Sequence, residues 1–173
     1  MNQRIILIGF MGAGKTTLGK KLATRLNFSF IDTDKLIEKQ QNCSVSEIFS
    51  SKGEDFFRKL EKKILDEIEL SENIVVAVGG GLPCFSNNME KLKQLGICIY
   101  LQRPIRELIF RVLLQNNQRP LLAGKTDEEL ENYMQQLLEI REPIYLQAHI
   151  IADREHQTIE KLLELIHDYQ KNQ

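Results

Sequence analysis

The sequence has no tryptophan, few prolines and only three cysteines. Cys43, Cys84 and Cys98 form no C-x-x-C pair and have no histidine cluster beside them, so neither a disulfide framework nor a zinc site is indicated. Long apolar runs are also missing. The first run, residues 5–8, ends at Gly9 and is too short for a signal-peptide core or a membrane span. We therefore expect reduced thiols and a cytoplasmic protein with no membrane partner.

The chain also lacks an excess of charge of either sign. Its 23 basic and 24 acidic side chains give a formal net charge of −1, which provides no overall field to hold a polyanion. A basic, aromatic-rich strip suited to a polynucleotide is absent as well. We expect no nucleic-acid partner, and a local origin for any positive charge that matters. A length of 173 residues suits a single domain, residues 1–173, which we expect to be a monomer.

Short apolar, β-branched runs alternate with segments of helical period along the chain. Near-continuous hydrophobicity in the runs is typical of parallel strands that are covered on both faces. The spacing i, i+3, i+4, i+7 marks packed helix faces, as in residues 159–166. The pattern predicts an α/β fold in three layers, a parallel sheet flanked by helices with right-handed crossovers. The five predicted strands are residues 5–8, 28–31, 74–78, 97–101 and 149–152.

One segment interrupts the alternation of strands and helices. Residues 115–125 are polar and turn-forming around Pro120 and Gly124, with a helical pattern on either side. A mobile lid over a binding site is the natural interpretation of such a segment.

Residues 9–16, Gly-Phe-Met-Gly-Ala-Gly-Lys-Thr, match the phosphate-binding pattern G-x-x-x-x-G-K-[ST] between a predicted strand and a predicted helix. Glycines let successive backbone N–H groups converge on phosphate oxygens, and the helix N-terminus adds partial positive charge. Lys15 would reach the β- and γ-phosphates, and the Thr16 hydroxyl would ligate Mg²⁺. The alternative is a glycine-rich turn that only joins strand to helix. The predicted nucleotide-binding residues of this loop are Gly12, Ala13, Gly14, Lys15, Thr16 and Thr17.

The loop alone leaves GTPases, ATPases, nucleotide kinases and metabolite kinases open. The sequence has no N-K-x-D segment, which a small GTPase would need to recognise its base, and motor or transporter ATPases usually need a longer chain.

The second predicted strand ends in Asp32-Thr33-Asp34, at the sheet edge where ligands of open α/β folds bind. One carboxylate could serve Mg²⁺ and the other an acceptor hydroxyl. Alternatively, Asp32 or Thr33 caps the helix that starts near Lys35.

Taken together, the motifs resemble those of the shikimate kinases, a family with the P-loop NTPase fold. The resemblance extends over nearly the whole chain, and the motifs follow the family's order and spacing. It implies phosphorylation of shikimate by ATP with Mg²⁺, giving shikimate 3-phosphate in aromatic amino-acid (chorismate) biosynthesis. The matching segments are GFMGAGKT at 9–16, DTD at 32–34, IFSSKGEDFFRKLE at 48–61, GGG at 79–81, RPLL at 119–122 and REPIY at 141–145.

The resemblance also implies roles for individual residues. Asp34 would bind the ring hydroxyls next to the attacking one, and Asp32 would hold Mg²⁺ through water. Arg58 and Arg141 would clamp the substrate carboxylate, helped by the Gly80 N–H, which suits the planar donor fork of arginine. Without the resemblance, Arg58 would be interpreted as part of an exposed ion pair within its helix.

Further roles fall on the lid and the nucleotide end of the site. Arg119 would close onto the phosphates and, with Lys15 and Asp34, form the catalytic group. Arg111 resembles the family's adenine-stacking arginine, and residues 153–157 fall where its adenine loop lies. Glu61, three positions after Arg58, can reach back to its guanidinium.

Two alternatives stay open. A related metabolite kinase, such as one for gluconate, would use the same loop and lid, and gluconate also carries a carboxylate. A nucleotide-binding module that has lost catalysis is the second. It draws support from Ala77 and Val78 before the glycine triplet, where the family often has a small hydroxyl residue.

Overall fold

The computed structural model describes residues 3–69, 72–114 and 126–172. The predicted lid, residues 115–125, and Arg119 within it lie outside the described residues. No helix in the described ranges combines the length and apolar character that a membrane crossing needs.

All five predicted strands are present and form one sheet in the order β2-β3-β1-β4-β5. Every neighbouring pair is parallel, as the continuous apolar runs predicted. The side chains of the three central strands are almost all buried because helices cover both faces of the sheet, and β1 at its centre has four consecutive residues with no exposed surface. The two edge strands are partly exposed. The strands are β1 (Arg4–Ile8), β2 (Ser29–Asp32), β3 (Ile74–Ala77), β4 (Ile97–Leu101) and β5 (Ile150–Ala152).

Seven α-helices lie in the described part of the chain. From β1 to β2 the chain moves along the sheet in one direction, and its later connections between strands move in the other. Because the crossovers are right-handed, the helix between β1 and β2 lies on the opposite face of the sheet from the helices of the later connections. The third helix is interrupted at Gly53, which adopts φ 78°, a region that glycine enters without steric cost. The helices are α1 (Lys15–Leu26), α2 (Thr33–Gln41), α3 (Val45–Glu69), α4 (Asn88–Leu95), α5 (Ile105–Leu114), α6 (Asp127–Tyr145) and α7 (Ile159–Lys171).

The strand register aligns the carboxyl ends of the central strands. Ala77 of β3 lies opposite Leu7 of β1 on one side and Asp32 of β2 on the other. Parallel strands therefore present the phosphate-binding loop after β1, the carboxylates after β2 and the glycines after β3 at one sheet edge. This edge is where the predicted ligand site is assembled.

Candidate active site

The loop between β1 and α1 has the conformation that phosphate binding requires. Gly12 and Gly14 adopt φ 79° and 94°, which a side chain would oppose. Gly14 is the N-cap of α1 and makes no side-chain cap, so the first N–H groups of the helix face the loop. The Lys15 ammonium bridges the loop by donating to the carbonyls of Gly9 at 2.8 Å and Phe10 at 2.9 Å. Thr16 and Thr17 follow in the first turn of α1.

The Thr16 hydroxyl and the Asp32 carboxylate meet beside this loop. Thr16 Oγ1 donates to Asp32 Oδ2 at 2.6 Å. Asp32 Oδ1 accepts from the Lys35 N–H at 3.2 Å and is the N-cap of α2. The capping alternative is therefore correct for Asp32, and it leaves the second carboxylate oxygen beside Thr16. A hydroxyl and a carboxylate are oxygen ligands of the kind that Mg²⁺ prefers.

Asp34 lies in the first turn of α2, with its carboxylate against Gly79 of the glycine triplet. A Cβ at Gly79 would overlap Asp34 Oδ1, so this position needs bare backbone. Thr33 has no exposed surface, and its hydroxyl accepts from the Gly79 N–H at 2.9 Å. The sequence suggested Thr33 only as a possible helix cap. Its contact with the triplet follows from the alignment of β2 with β3, which is not visible in the sequence.

Two glutamates and an aromatic ring hold the guanidinium of Arg58. Arg58 Nη2 donates to Glu54 Oε1 at 2.7 Å and Nη1 to Glu61 Oε2 at 2.5 Å. The ring of Phe85 lies with its centroid 3.3 Å from Arg58 Cζ, a cation–π contact that covers one face of the cation. The predicted contact with Glu61 is present, and so is the ion pair within the helix. The ring contact could not be found from the sequence.

Glu61 is the one buried carboxylate of the described core, with 1% of its surface exposed. Burial raises its pKa to about 7, while Arg58 opposes this shift and Asp34 adds to it. A buried carboxylate needs a paired charge, and Arg58 provides that pair. The arginine is thereby fixed on one side by a group that does not reach solvent.

The second arginine, Arg141 of α6, meets Arg58 at the glycine triplet. From the Cβ position that an alanine would have at Gly81, both terminal nitrogens of Arg58 lie at 3.4 Å and Nη2 of Arg141 at 3.5 Å. Two guanidinium groups 83 positions apart in the sequence thus converge on one point. Planar donors around bare backbone suit a carboxylate. The chain is nearly neutral overall, so the positive charge here is local, as expected.

Arg111 and Arg103 cover the other side of the phosphate-binding loop. Arg111 Nη1 lies 3.5 Å from the Gly12 carbonyl. Arg103, which the sequence analysis did not single out, donates from Nε to the Ala13 carbonyl at 3.2 Å and from Nη1 to Glu107 at 3.0 Å. Burial lowers the pKa of Arg103, and the charge of Arg111 lowers it further. Its position two residues after β4, at the ligand edge, was the available signal.

Residues 153–157, the predicted adenine loop, follow β5 and contain a short 3-10 turn, Arg154–His156. Gln157 closes the segment by donating from Nε2 to the carbonyls of Gln102 at 2.8 Å and Ala152 at 2.9 Å. The segment is therefore fixed to the carboxyl ends of β4 and β5.

A phosphate-binding loop after the central strand, beside a cationic acceptor pocket on the same sheet edge, defines a P-loop kinase that acts on a small molecule. The family model described as shikimate kinase matches residues 11–170. The chain belongs to the shikimate kinase family.

Individual relatives agree with this family assignment. A shikimate kinase of Bacteroides fragilis is 47% identical over 148 residues, which cover 86% of this chain and 83% of that protein. The crystal structure of a shikimate kinase from Bacteroides thetaiotaomicron is similar with a TM-score of 0.90 and 41% identity, covering 96% of this chain and 99% of that one. The structure of a shikimate kinase from Acinetobacter baumannii in complex with shikimate is similar with a TM-score of 0.88 and 36% identity. The match covers 97% of this chain and 94% of that one.

A solved gluconokinase from Sinorhizobium meliloti is similar with a TM-score of 0.57 at 17% identity, covering 97% of this chain and 89% of that one. This likeness shows a shared fold alone.

Proposed function

We propose that this protein transfers the γ-phosphoryl group of ATP to shikimate, giving ADP and shikimate 3-phosphate in aromatic amino-acid biosynthesis. The observation that carries the proposal is the convergence of Arg58 and Arg141 on Gly81, beside the carboxylate of Asp34. An acceptor with one carboxylate and several hydroxyls matches this arrangement, because the arginines orient the acid end. The Acinetobacter baumannii relative was solved with shikimate.

The reaction then needs charge stabilisation and positioning more than covalent chemistry. The acceptor hydroxyl attacks the γ-phosphorus while the bond from that phosphorus to the β,γ-bridging oxygen breaks, and Asp34 takes the hydroxyl proton. Lys15 and the N–H groups of residues 12–17 hold the phosphate oxygens. Arg119 of the lid adds positive charge to the phosphates and excludes water when the lid closes.

The side chains of Thr16 and Asp32 fit a magnesium ion, since they place a hydroxyl and a carboxylate oxygen 2.6 Å apart next to the loop. Thr16 would bind the ion directly and Asp32 would hold it through water. The ion would neutralise charge that develops on the β- and γ-phosphates. At the other end of the nucleotide, Arg111 would stack on the adenine and residues 153–157 would border it.

The organisation of the protein completes the proposal. Residues 1–173 would form a single kinase domain with a lid at 115–125, acting as a cytoplasmic monomer without a nucleic-acid or membrane partner. Elution as a monomer in size-exclusion chromatography with light scattering would support this, and a stable dimer would contradict it.

The test of the reaction is coupled ADP release with Mg-ATP, comparing shikimate, gluconate and no acceptor. We expect turnover with shikimate only. Arg58→Ala should raise the KM for shikimate on the order of 100-fold, because it removes a charged, desolvated partner of the carboxylate. Since the same change leaves Glu61 without its pair, Arg141→Ala serves as a second variant. Lys59→Ala, an exposed cation on the same helix, is the control and should behave as wild type.

Each other outcome favours a named alternative. Turnover with gluconate and not with shikimate would make the protein a related metabolite kinase. ATP binding without turnover of either acceptor would indicate a non-catalytic nucleotide-binding module.

A further inference from the structure

Hydrogen bonds hold the peptide units of the glycine triplet, some within the turn itself and two from distant parts of the fold. The Gly79 N–H donates to Thr33 at 2.9 Å. The Gly79 carbonyl accepts from the Leu82 N–H at 3.0 Å, and the Gly80 carbonyl accepts from the Tyr145 hydroxyl at 2.6 Å. Among the described residues, Tyr145 is the only one that donates to a carbonyl of the triplet from its side chain.

A carbonyl that is fixed in this way also fixes an amide. In a trans peptide the N–H points opposite to the C=O, and the described chain has no cis peptide. The contact of Leu82 thus sets the direction of the Gly80 N–H, and the contact of Tyr145 sets that of the Gly81 N–H. Neither amide donates to a protein acceptor within the described residues. The Gly80 and Gly81 N–H groups are therefore available to a ligand.

The position of Gly81 brings its backbone close to the two arginines. Nitrogens of Arg58 and Arg141 lie 3.4–3.5 Å from the Cβ position at Gly81. Arg141 and Tyr145 are four residues apart on α6 and so lie on the same helix face. One helix therefore supplies both a cation to the pocket and the hydroxyl that orients the backbone beside it.

Tyr145 itself is buried and packed against a second tyrosine. It has no exposed surface, and its ring centroid lies 5.2 Å from that of Tyr100. The Tyr100 hydroxyl donates to Glu142 Oε1 at 2.9 Å, which also accepts from Gln102 at 3.0 Å. Burial raises the pKa of Tyr145 well above its ordinary value, so its hydroxyl stays protonated and remains a donor.

We infer that Tyr145 is a positioning residue of the acceptor site. Its hydroxyl orients the Gly80–Gly81 peptide so that the Gly81 N–H, together with Arg58 and Arg141, receives the substrate carboxylate. The inference rests on the proposed function for the identity of that carboxylate.

The test is Tyr145→Phe, which removes one oxygen and keeps the ring packed against Tyr100. We expect the KM for shikimate to rise about tenfold, the effect of one lost hydrogen bond, with the KM for ATP and kcat changed less than about twofold. Tyr100→Phe is the matched control, because it removes the hydroxyl of the other ring of the same buried pair. We expect it to leave the KM for shikimate within about twofold of wild type.

A second measurement needs no substrate. In protein labelled with ¹⁵N-glycine, Tyr145→Phe should shift the Gly81 amide resonance and leave that of Gly19, in α1, in place. Failure of wild type to phosphorylate shikimate, with the Gly81 shift present, would refute the proposed function while supporting the orientation by Tyr145. An unmoved Gly81 resonance, or equal rises in KM for both tyrosine variants, would overturn the inference.

Discussion

The buried carboxylate of Glu61 predicts a specific dependence of stability on pH. Its pKa is raised by burial from the ordinary 4.5 to about 7, so the folded chain binds this proton more tightly than the unfolded chain. The contribution of Glu61 to the free energy of unfolding therefore falls as the pH rises from about 4.5 to about 7. At about 1.4 kcal/mol per pKa unit, the raised pKa lowers the free energy of unfolding by about 3 kcal/mol at pH 8, where folded Glu61 is ionised, and by about 1 kcal/mol near pH 5.5, where it is still protonated.

Glu61→Gln removes the titration and keeps the shape of the side chain. The free energy of unfolding of the variant minus that of wild type should rise by about 2 kcal/mol between about pH 5.5 and pH 8. Urea unfolding at a series of pH values measures this difference, in which titrations common to both proteins cancel. Glu54→Gln is the control for the loss of a partner of Arg58, because Glu54 binds the same guanidinium with its side chain half exposed; at a single pH it should change the free energy of unfolding by less than about 1 kcal/mol. A flat difference for Glu61→Gln would refute the reasoning.

Three further predictions concern single contacts. Thr33→Val should lower stability by about 1–3 kcal/mol in urea unfolding, because it leaves the Gly79 N–H buried without an acceptor, whereas Thr33→Ser should recover most of the loss; equal losses would argue against the hydrogen bond. Thr16→Ala should raise the Mg²⁺ concentration needed for half-maximal ADP release by about tenfold, while Thr16→Ser retains the hydroxyl and should not. Gly19→Ala should lower the free energy of unfolding by about 1–3 kcal/mol, since a Cβ would lie 2.6 Å from the Phe30 ring; an unchanged urea midpoint would mean that the ring moves without cost.

The sequence predicted the sheet well because its signals are local. Each strand is an apolar run bounded by polar or glycine-rich residues, and each was predicted to within one residue of its observed limits. The order of the strands was not predicted, because it depends on pairing between distant segments. Lys15 and Thr16 could be predicted because the phosphate-binding pattern fixes their spacing along the chain.

Apart from the contact of Glu61 with Arg58, three positions away on the same helix, the supporting contacts of the site could not be predicted in the same way. Phe85 over Arg58 joins a loop after β3 to α3, and Tyr145 on Gly80 joins α6 to the same loop. Such contacts are set by how elements pack, and no spacing in the sequence encodes them. Arg103 was missed for a milder reason. It belongs to no recognised motif, and its position just after β4 at the ligand edge is the one feature that indicates a role in the site.

The central position of β1 has a consequence for the order in which the protein can be made. Both neighbours of β1 come later in the chain, β3 at Ile74–Ala77 and β4 at Ile97–Leu101. During synthesis β1, which precedes the phosphate-binding loop, therefore stays unpaired on both edges while the following helices emerge from the ribosome. Arg141 and Tyr145 arrive later still. The acceptor pocket and the adenine end of the site, residues 153–157, are therefore both completed late in synthesis, and β1 exposes two unpaired edges until β3 and β4 have emerged.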